Sequence, residues 1–142
     1  MNKSLIDTDT LSGINKAHDQ ALLTTAERYL ALYECFTISS VTVMEVVRGY
    51  HLTGRTEKLA EFLASLADQE VLSFSESTAE LAGKIDADLL RIGRPIGRAD
   101  PMIAATAIEH DLVLITGNTK HFERIQALGY PLQVDSWHPA EA

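Results

Sequence analysis

The chain has 142 residues, 46% of them hydrophobic, and its 20 acidic and 12 basic residues give a formal charge of −8. That length and balance suit one domain, residues 1–142, with a sizeable core, and argue against an extended nucleic-acid-binding surface. Its single cysteine, Cys35, excludes an intrachain disulfide and a thiolate zinc site.

The longest apolar runs, such as "DLVLIT" and "FTISSVTVM", fall short of the roughly 18 residues needed to span a bilayer, and the N-terminus has no signal-peptide pattern. A cytoplasmic protein without membrane contact is expected. The histidines, His18, His51, His110, His121 and His138, show no H-x-x-x-H or similar spacing, so any metal would meet oxygen ligands.

Taken in chain order, strands are expected at about Ser4 to Asp7, Thr37 to Val41, Val71 to Phe74, Leu112 to Thr116 and Leu132 to Asp135. Helices are expected over Thr24 to Tyr33, Thr42 to His51, Thr56 to Ala67, Ser77 to Arg91 and Pro101 to His110. Alternating β and α elements imply a parallel sheet covered by helices on both faces. Sites in such sheets form outside the carboxyl ends of the strands.

Four positions map to that edge, each with an ordinary structural explanation. Asp7 ends the first strand and can close it with an Asx turn, while Asp9 can cap a short helix starting near Thr10. Thr42 and Glu45 have capping-box spacing. Asp100 precedes Pro101, as an N-cap precedes proline at the first helical position, and Asn118 in "TGNTKHF" is an ordinary turn residue. Thr116 adds a hydroxyl beside it.

Independent caps need not converge on one edge, and these do. Two carboxylates about 4 Å apart repel by about 4 kcal/mol at an effective dielectric of about 20, so such a cluster binds a cation or keeps a proton. Oxygen ligands favour Mg²⁺ or Mn²⁺ over zinc. Arg91, Arg94, Arg98, Lys120 and Arg124 lie in the same half as Asp100 and are candidates to receive phosphate, against the plainer reading of solvated surface charge.

The stretches "LIDTDTLS", "ISSVTVMEVVRGY" and "GRPIGRADPMIAATAIEHDLVLITGNTKHFERI" resemble PIN-domain ribonucleases, specifically VapC-type toxins of type II toxin-antitoxin systems. In order and spacing the resemblance spans nearly the whole chain. It implies an α/β fold, a PIN-like three-layer α/β/α with a central, mainly parallel sheet of about five strands. It also implies a Mg²⁺- or Mn²⁺-dependent endoribonuclease, held inactive by a VapB-type antitoxin and usually dimeric.

Carried over position by position, the family's acidic residues fall on Asp7, Glu45 and Asp100, and its hydroxyl residue on Thr116. The fourth position falls on Asn118, where many members have Asp; the amide weakens the negative field, and one ion is expected. Asp7 and Asp100 would be the chief ligands, with Glu45 and Asn118 positioning the attacking water and Arg94, Arg98 and Lys120 near flanking RNA phosphates.

Two rivals stand beside this. A haloacid-dehalogenase-like phosphatase would make Asp7 a nucleophile and Asp9 its acid/base, but Leu11 breaks the D-x-D-x-T/V motif and Asp111 and Asp135 are isolated. A non-catalytic interaction module would keep the fold and offer the acidic pocket to a partner's basic side chain.

Overall fold

In the computed structural model, which describes residues 1–138, five short strands form one sheet: β1 (Ser4–Ile6), β2 (Thr37–Ser39), β3 (Glu70–Leu72), β4 (Val113–Ile115) and β5 (Gln133–Asp135). Their order is β3-β2-β1-β4-β5 and every pairing is parallel. Parallel neighbours need crossovers, and helices supply them. The chain winds from β1 outward to β3, then crosses back over β1 to build β4 and β5. That reversal leaves a crevice at the carboxyl ends of β1 and β4.

Central strands are buried on both faces, and their side chains alternate between two cores. Leu5 and Leu114 join one core; Ile6, Ile38 and Ile115 join the other. The register pairs Leu5 with Leu114 and Ile6 with Ile115, so each core receives matched residues from adjacent strands.

The helices are α1 (Thr8–Lys16), α2 (Gln20–Tyr33), α3 (Ser40–Thr53), α4 (Thr56–Ser65), α5 (Glu76–Arg91), α6 (Ala99–Glu109) and α7 (Thr119–Ala127). Together they give the expected three-layer α/β/α architecture. Helix α6 is apolar nearly all round, with Ile103 through Ala107 buried, as befits a helix enclosed by its neighbours. No helix among the described residues is long and apolar enough to cross a membrane.

Capping explains where the helices depart from expectation. Asp19 accepts from the N–H groups of Ala21 and Leu22, so α2 starts at Gln20 rather than Thr24. Ser39 accepts from Val41 N–H, so α3 starts at Ser40 rather than Thr42. Asp7 is the N-cap of α1, which begins two residues before the expected Thr10. Helix α6 begins at Ala99 and holds Pro101 in its first turn, where the missing N–H has no intrahelical partner to lose. Helix α7 was not expected: only Phe122 and Ile125 of its nine residues are buried.

Candidate active site

Asp7 sits where β1 becomes α1. Its N–H donates to Ile115 O at 2.9 Å, completing the ladder to β4, and its side chain turns into the crevice mouth. Oδ1 accepts from Thr8 N–H at 2.7 Å, and Oδ2 accepts from the Thr116 hydroxyl at 2.8 Å. Thr116 Oγ1 in turn accepts from Asn118 N–H at 3.0 Å. Asp7 is only 5% exposed. Burial, reinforced by the charges of Asp9 and Asp100, outweighs the hydrogen bonds from Thr116 and Thr8 and pushes its carboxyl up to about 7.

The capping box expected of Thr42 and Glu45 does not form, because Ser39 already serves the start of α3. Thr42 lies in the first turn, buried, with Oγ1 3.0 Å from Thr8 Oγ1. Glu45, one turn in, is free to face the crevice and accepts from the Thr8 hydroxyl at 2.7 Å. Thr8 thus ties α1 to α3 across the site.

Asp100 is likewise not the N-cap of α6; Arg98 holds that place without a side-chain bond, and Asp100 lies in the first turn. Burial raises its carboxyl, the nearby Glu45 and Asp9 charges add to this, and His121 opposes it. His121 Nδ1 lies 3.4 Å from Asp100 Oδ2 and 2.8 Å from Asn118 Nδ2. Asn118 is the N-cap residue of α7, placing His121 three positions on, over the same first turn.

Asp9 is used structurally. Its Oδ1 accepts from Thr10 N–H at 2.7 Å and its Oδ2 from Gly117 N–H at 3.1 Å, fastening the start of α1 to the β4–α7 turn. Gly117 allows that approach: a Cβ there would stand 2.9 Å from Asp9 Oδ2 and 3.0 Å from the His138 ring. The phosphatase alternative needs Asp9 as a free acid/base, and both its oxygens are bound to backbone.

The resulting cleft, about 260 Å³, is lined by Asp7, Thr8, Asp9, Glu45, Asp100 and Asn118. The fold therefore assembles all of the expected acidic and amide positions, with Thr116 beneath Asp7. Arg94, Arg98 and Lys120 are exposed and none lines the cleft. Arg124 instead braces the loop before α6, donating to Pro95 O at 3.2 Å. The sequence does not single out Thr8 or His121 for the site and offers Thr42 only as a cap; all three reach it through contacts distant in the chain.

The donor set suits a hard cation. Asp7 has no cationic partner among the described residues, its carboxyl is raised, and the donors are predominantly oxygen. No three His, Cys, Asp or Glu side chains among the described residues are arranged to hold an ion by themselves. Such a site fits an ion taken by one or two carboxylates that keeps several waters, the habit of Mg²⁺.

The PIN-domain family model matches residues 4–128. A tRNA(fMet)-specific endonuclease VapC of Salmonella typhimurium is 32% identical over 138 residues, covering 96% of this chain and 99% of its own length. A second VapC of that description, from Shigella flexneri, is 39% identical over 92 residues, covering 64% of this chain and 70% of its own. Among solved structures, a DNA-bound VapBC from Salmonella typhimurium superposes with a TM-score of 0.79 at 30% identity, over 97% of this chain and 100% of the other.

Proposed function

The chain belongs to the PIN-domain family and is a VapC-like endoribonuclease inhibited by a VapB-type antitoxin, and we propose that it hydrolyses RNA with Mg²⁺ or Mn²⁺ held between Asp7 and Asp100. The observation that supports the metal is Asp7 itself: a buried carboxylate raised to about 7 beside two other acids, with no cation paired to it among the described residues. The similarity to tRNA(fMet)-specific endonucleases makes that tRNA the first substrate to test, and a dimer of toxin subunits is the working assembly.

The bound ion would supply positive charge for the phosphoryl oxygens and acidify water. The residues divide the remaining work. Thr116 and Thr8 N–H fix both oxygens of Asp7, so the carboxylate is oriented before any ligand arrives. Thr8 sets the rotamer of Glu45, whose other oxygen remains to orient the attacking water in line with the leaving 3′-oxygen or 5′-oxygen. Asn118 contributes a neutral amide, and His121 holds it against Asp100.

Incubation of the purified, antitoxin-free protein with tRNA(fMet) tests the reading. Cleavage with Mg²⁺ or Mn²⁺, abolished by EDTA and lowered at least about a hundredfold in Asp7→Asn and Asp100→Asn, is expected, since even residues supporting metal ligands contribute ten- to a hundredfold. No cleavage of any RNA and no heat of metal binding would leave the acidic cleft as a seat for a partner's basic side chain.

A further inference from the structure

A second, larger groove opens directly from the acidic cleft. Thr8 and Glu45 line both, and the groove runs on between α1 and α3 with a volume of about 460 Å³. Its walls are set by helical periodicity. Both helices start at the carboxyl edge of the sheet, so positions 8, 12, 15 and 16 of α1 face positions 45, 49, 50 and 53 of α3 along the groove. From Glu45 to Thr53 the helix advances about 12 Å.

The chemistry changes along that length. At the cleft end stands Glu45; at the far end stand Lys16, Arg55 and Lys58. All three cations are exposed, and none is ion-paired among the described residues. In a chain of net charge −8 with 12 Lys and Arg in all, three converging on one groove is a local reversal of sign. Glu61 lies in a smaller hollow beyond, which shares Asn15, Tyr50 and Lys58 with the groove.

Tyr50 supplies an aromatic surface where the two hollows meet, its ring centroid 6.4 Å from that of Phe62. Gly49 keeps the wall open beside it. That glycine is mid-helix with no positive φ, and a Cβ added there would meet nothing within 4 Å, so neither backbone nor packing requires it. What a side chain there would occupy is the groove.

We propose that this groove carries the single-stranded RNA leading to the scissile phosphate, with Lys16, Arg55 and Lys58 receiving backbone phosphates and Tyr50 stacking a base. The inference rests on the nuclease reading and adds the substrate path. Cations on a groove with an aromatic face are the elements of sequence-tolerant single-strand binding. The volume, within the range of small-ligand sites, admits about a nucleotide or slightly more beside the one being cut. The cations also answer the charge objection, since they draw phosphate to the edge of an acidic centre.

The test compares wild type with the triple variant Lys16→Ala/Arg55→Ala/Lys58→Ala, with Tyr50→Leu, and with Gly49→Leu, which obstructs the groove while improving helix propensity. Cleavage of tRNA(fMet) is measured against salt, and binding of a mixed-sequence single-stranded RNA oligonucleotide by anisotropy. The triple variant is expected to raise KM and Kd at least about tenfold and to flatten the plot of log affinity against log salt by about 2. Tyr50→Leu and Gly49→Leu are each expected to weaken binding by roughly tenfold, with Gly49→Ala as the folded control.

Cleavage of a dinucleotide carrying only the scissile bond should be unchanged in all four. Unaltered RNA binding, KM and salt slope in the triple variant and in Gly49→Leu would overturn the proposal and leave the groove to a protein segment. A wild type that binds RNA through the groove and cuts none would sink the nuclease reading and the substrate path with it, leaving a groove that only binds RNA. Wild type that cuts tRNA(fMet) with groove variants that cut it equally well would overturn this proposal alone and leave the nuclease reading in place.

Discussion

Thr116 Oγ1 donates to Asp7 Oδ2 at 2.8 Å, across a sequence separation of 109 residues, and both groups are buried. The bond favours the charged form of a carboxyl that burial otherwise disfavours. Thr116→Val keeps the shape and removes the donor, so Asp7 should hold its proton to higher pH. The acid limb of the pH profile of kcat/KM is expected to move up, with a fall of about ten- to a hundredfold at neutral pH. Thr116→Ser should restore both. A profile that does not move in Thr116→Val would show that Asp7 is not the group titrating in that limb.

The same carboxyl sets a pH dependence of stability for the metal-free protein. With Asp7 moved from its ordinary 3.8 to about 7, the folded chain binds more protons than the unfolded chain between those values. Stability therefore falls as pH rises through that window, by at most about 4 kcal/mol from this group. Asp100, also raised, acts in the same direction; Glu70, lowered by its bonds to Lys3 and Thr37, acts oppositely at acid pH. The difference between wild type and Asp7→Asn isolates the effect. Asp7→Asn is expected to be the more stable at pH 8 and to lose that advantage near pH 4, read by denaturant unfolding in EDTA. Equal curves at both pH values would refute a raised Asp7.

Saturating Mg²⁺ should recover the neutral-pH stability of wild type, because an ion that binds only the folded state stabilises by mass action. Asp7→Asn should gain little from it. A thermal midpoint that rises equally in both proteins would place the ion elsewhere.

Strand positions and the convergence on one sheet edge were legible because period-2 and apolar-run patterns mark β1, β2 and β4 directly, and the topology of parallel sheets does the rest. Asp7 and Asp100 followed from their places at element boundaries. Glu45 was legible in position, but not the direction it faces: Thr42 and Ser39 are both good caps, and only the backbone decides that Ser39 serves Val41 N–H and leaves Glu45 out of a capping box. Thr8 and His121 were invisible for a different reason. Thr8 matters through Glu45, 37 positions away, and His121 through Asp100, 21 positions away, and no local spacing encodes such contacts. Helix α7 was missed because its two buried residues make too short a pattern to call a period.

Gly117 offers a test of how the acidic turn is fastened. A Cβ at 2.9 Å from Asp9 Oδ2 must displace that carboxylate or the His138 ring. Gly117→Ala is expected to cost about 1–3 kcal/mol, as crowding a packed site does. In Asp9→Ala the obstructing oxygen is gone, so adding Gly117→Ala should cost less than it does alone. The coupling, read from chemical unfolding of the four proteins, is the measurement. Strict additivity would mean that Asp9 is not what Gly117 accommodates.

Asn118→Asp restores a carboxylate at the cleft's fourth position. Asn118 is exposed and lines the cleft with Asp7 and Asp100, so the added charge acts through solvent as well as protein and its effect is modest. Its sign differs between the two states of the site. Without metal, a further negative charge raises the protonation of Asp7 and Asp100 and lowers stability above pH 7. With metal, the same charge attracts the cation, and half-saturation is expected at about three- to tenfold lower Mg²⁺. Calorimetric Mg²⁺ titration of Asn118→Asp beside wild type gives the affinity. Unchanged Mg²⁺ affinity would show that position 118 does not act on the ion, leaving Asp7 and Asp100 to hold it without that residue.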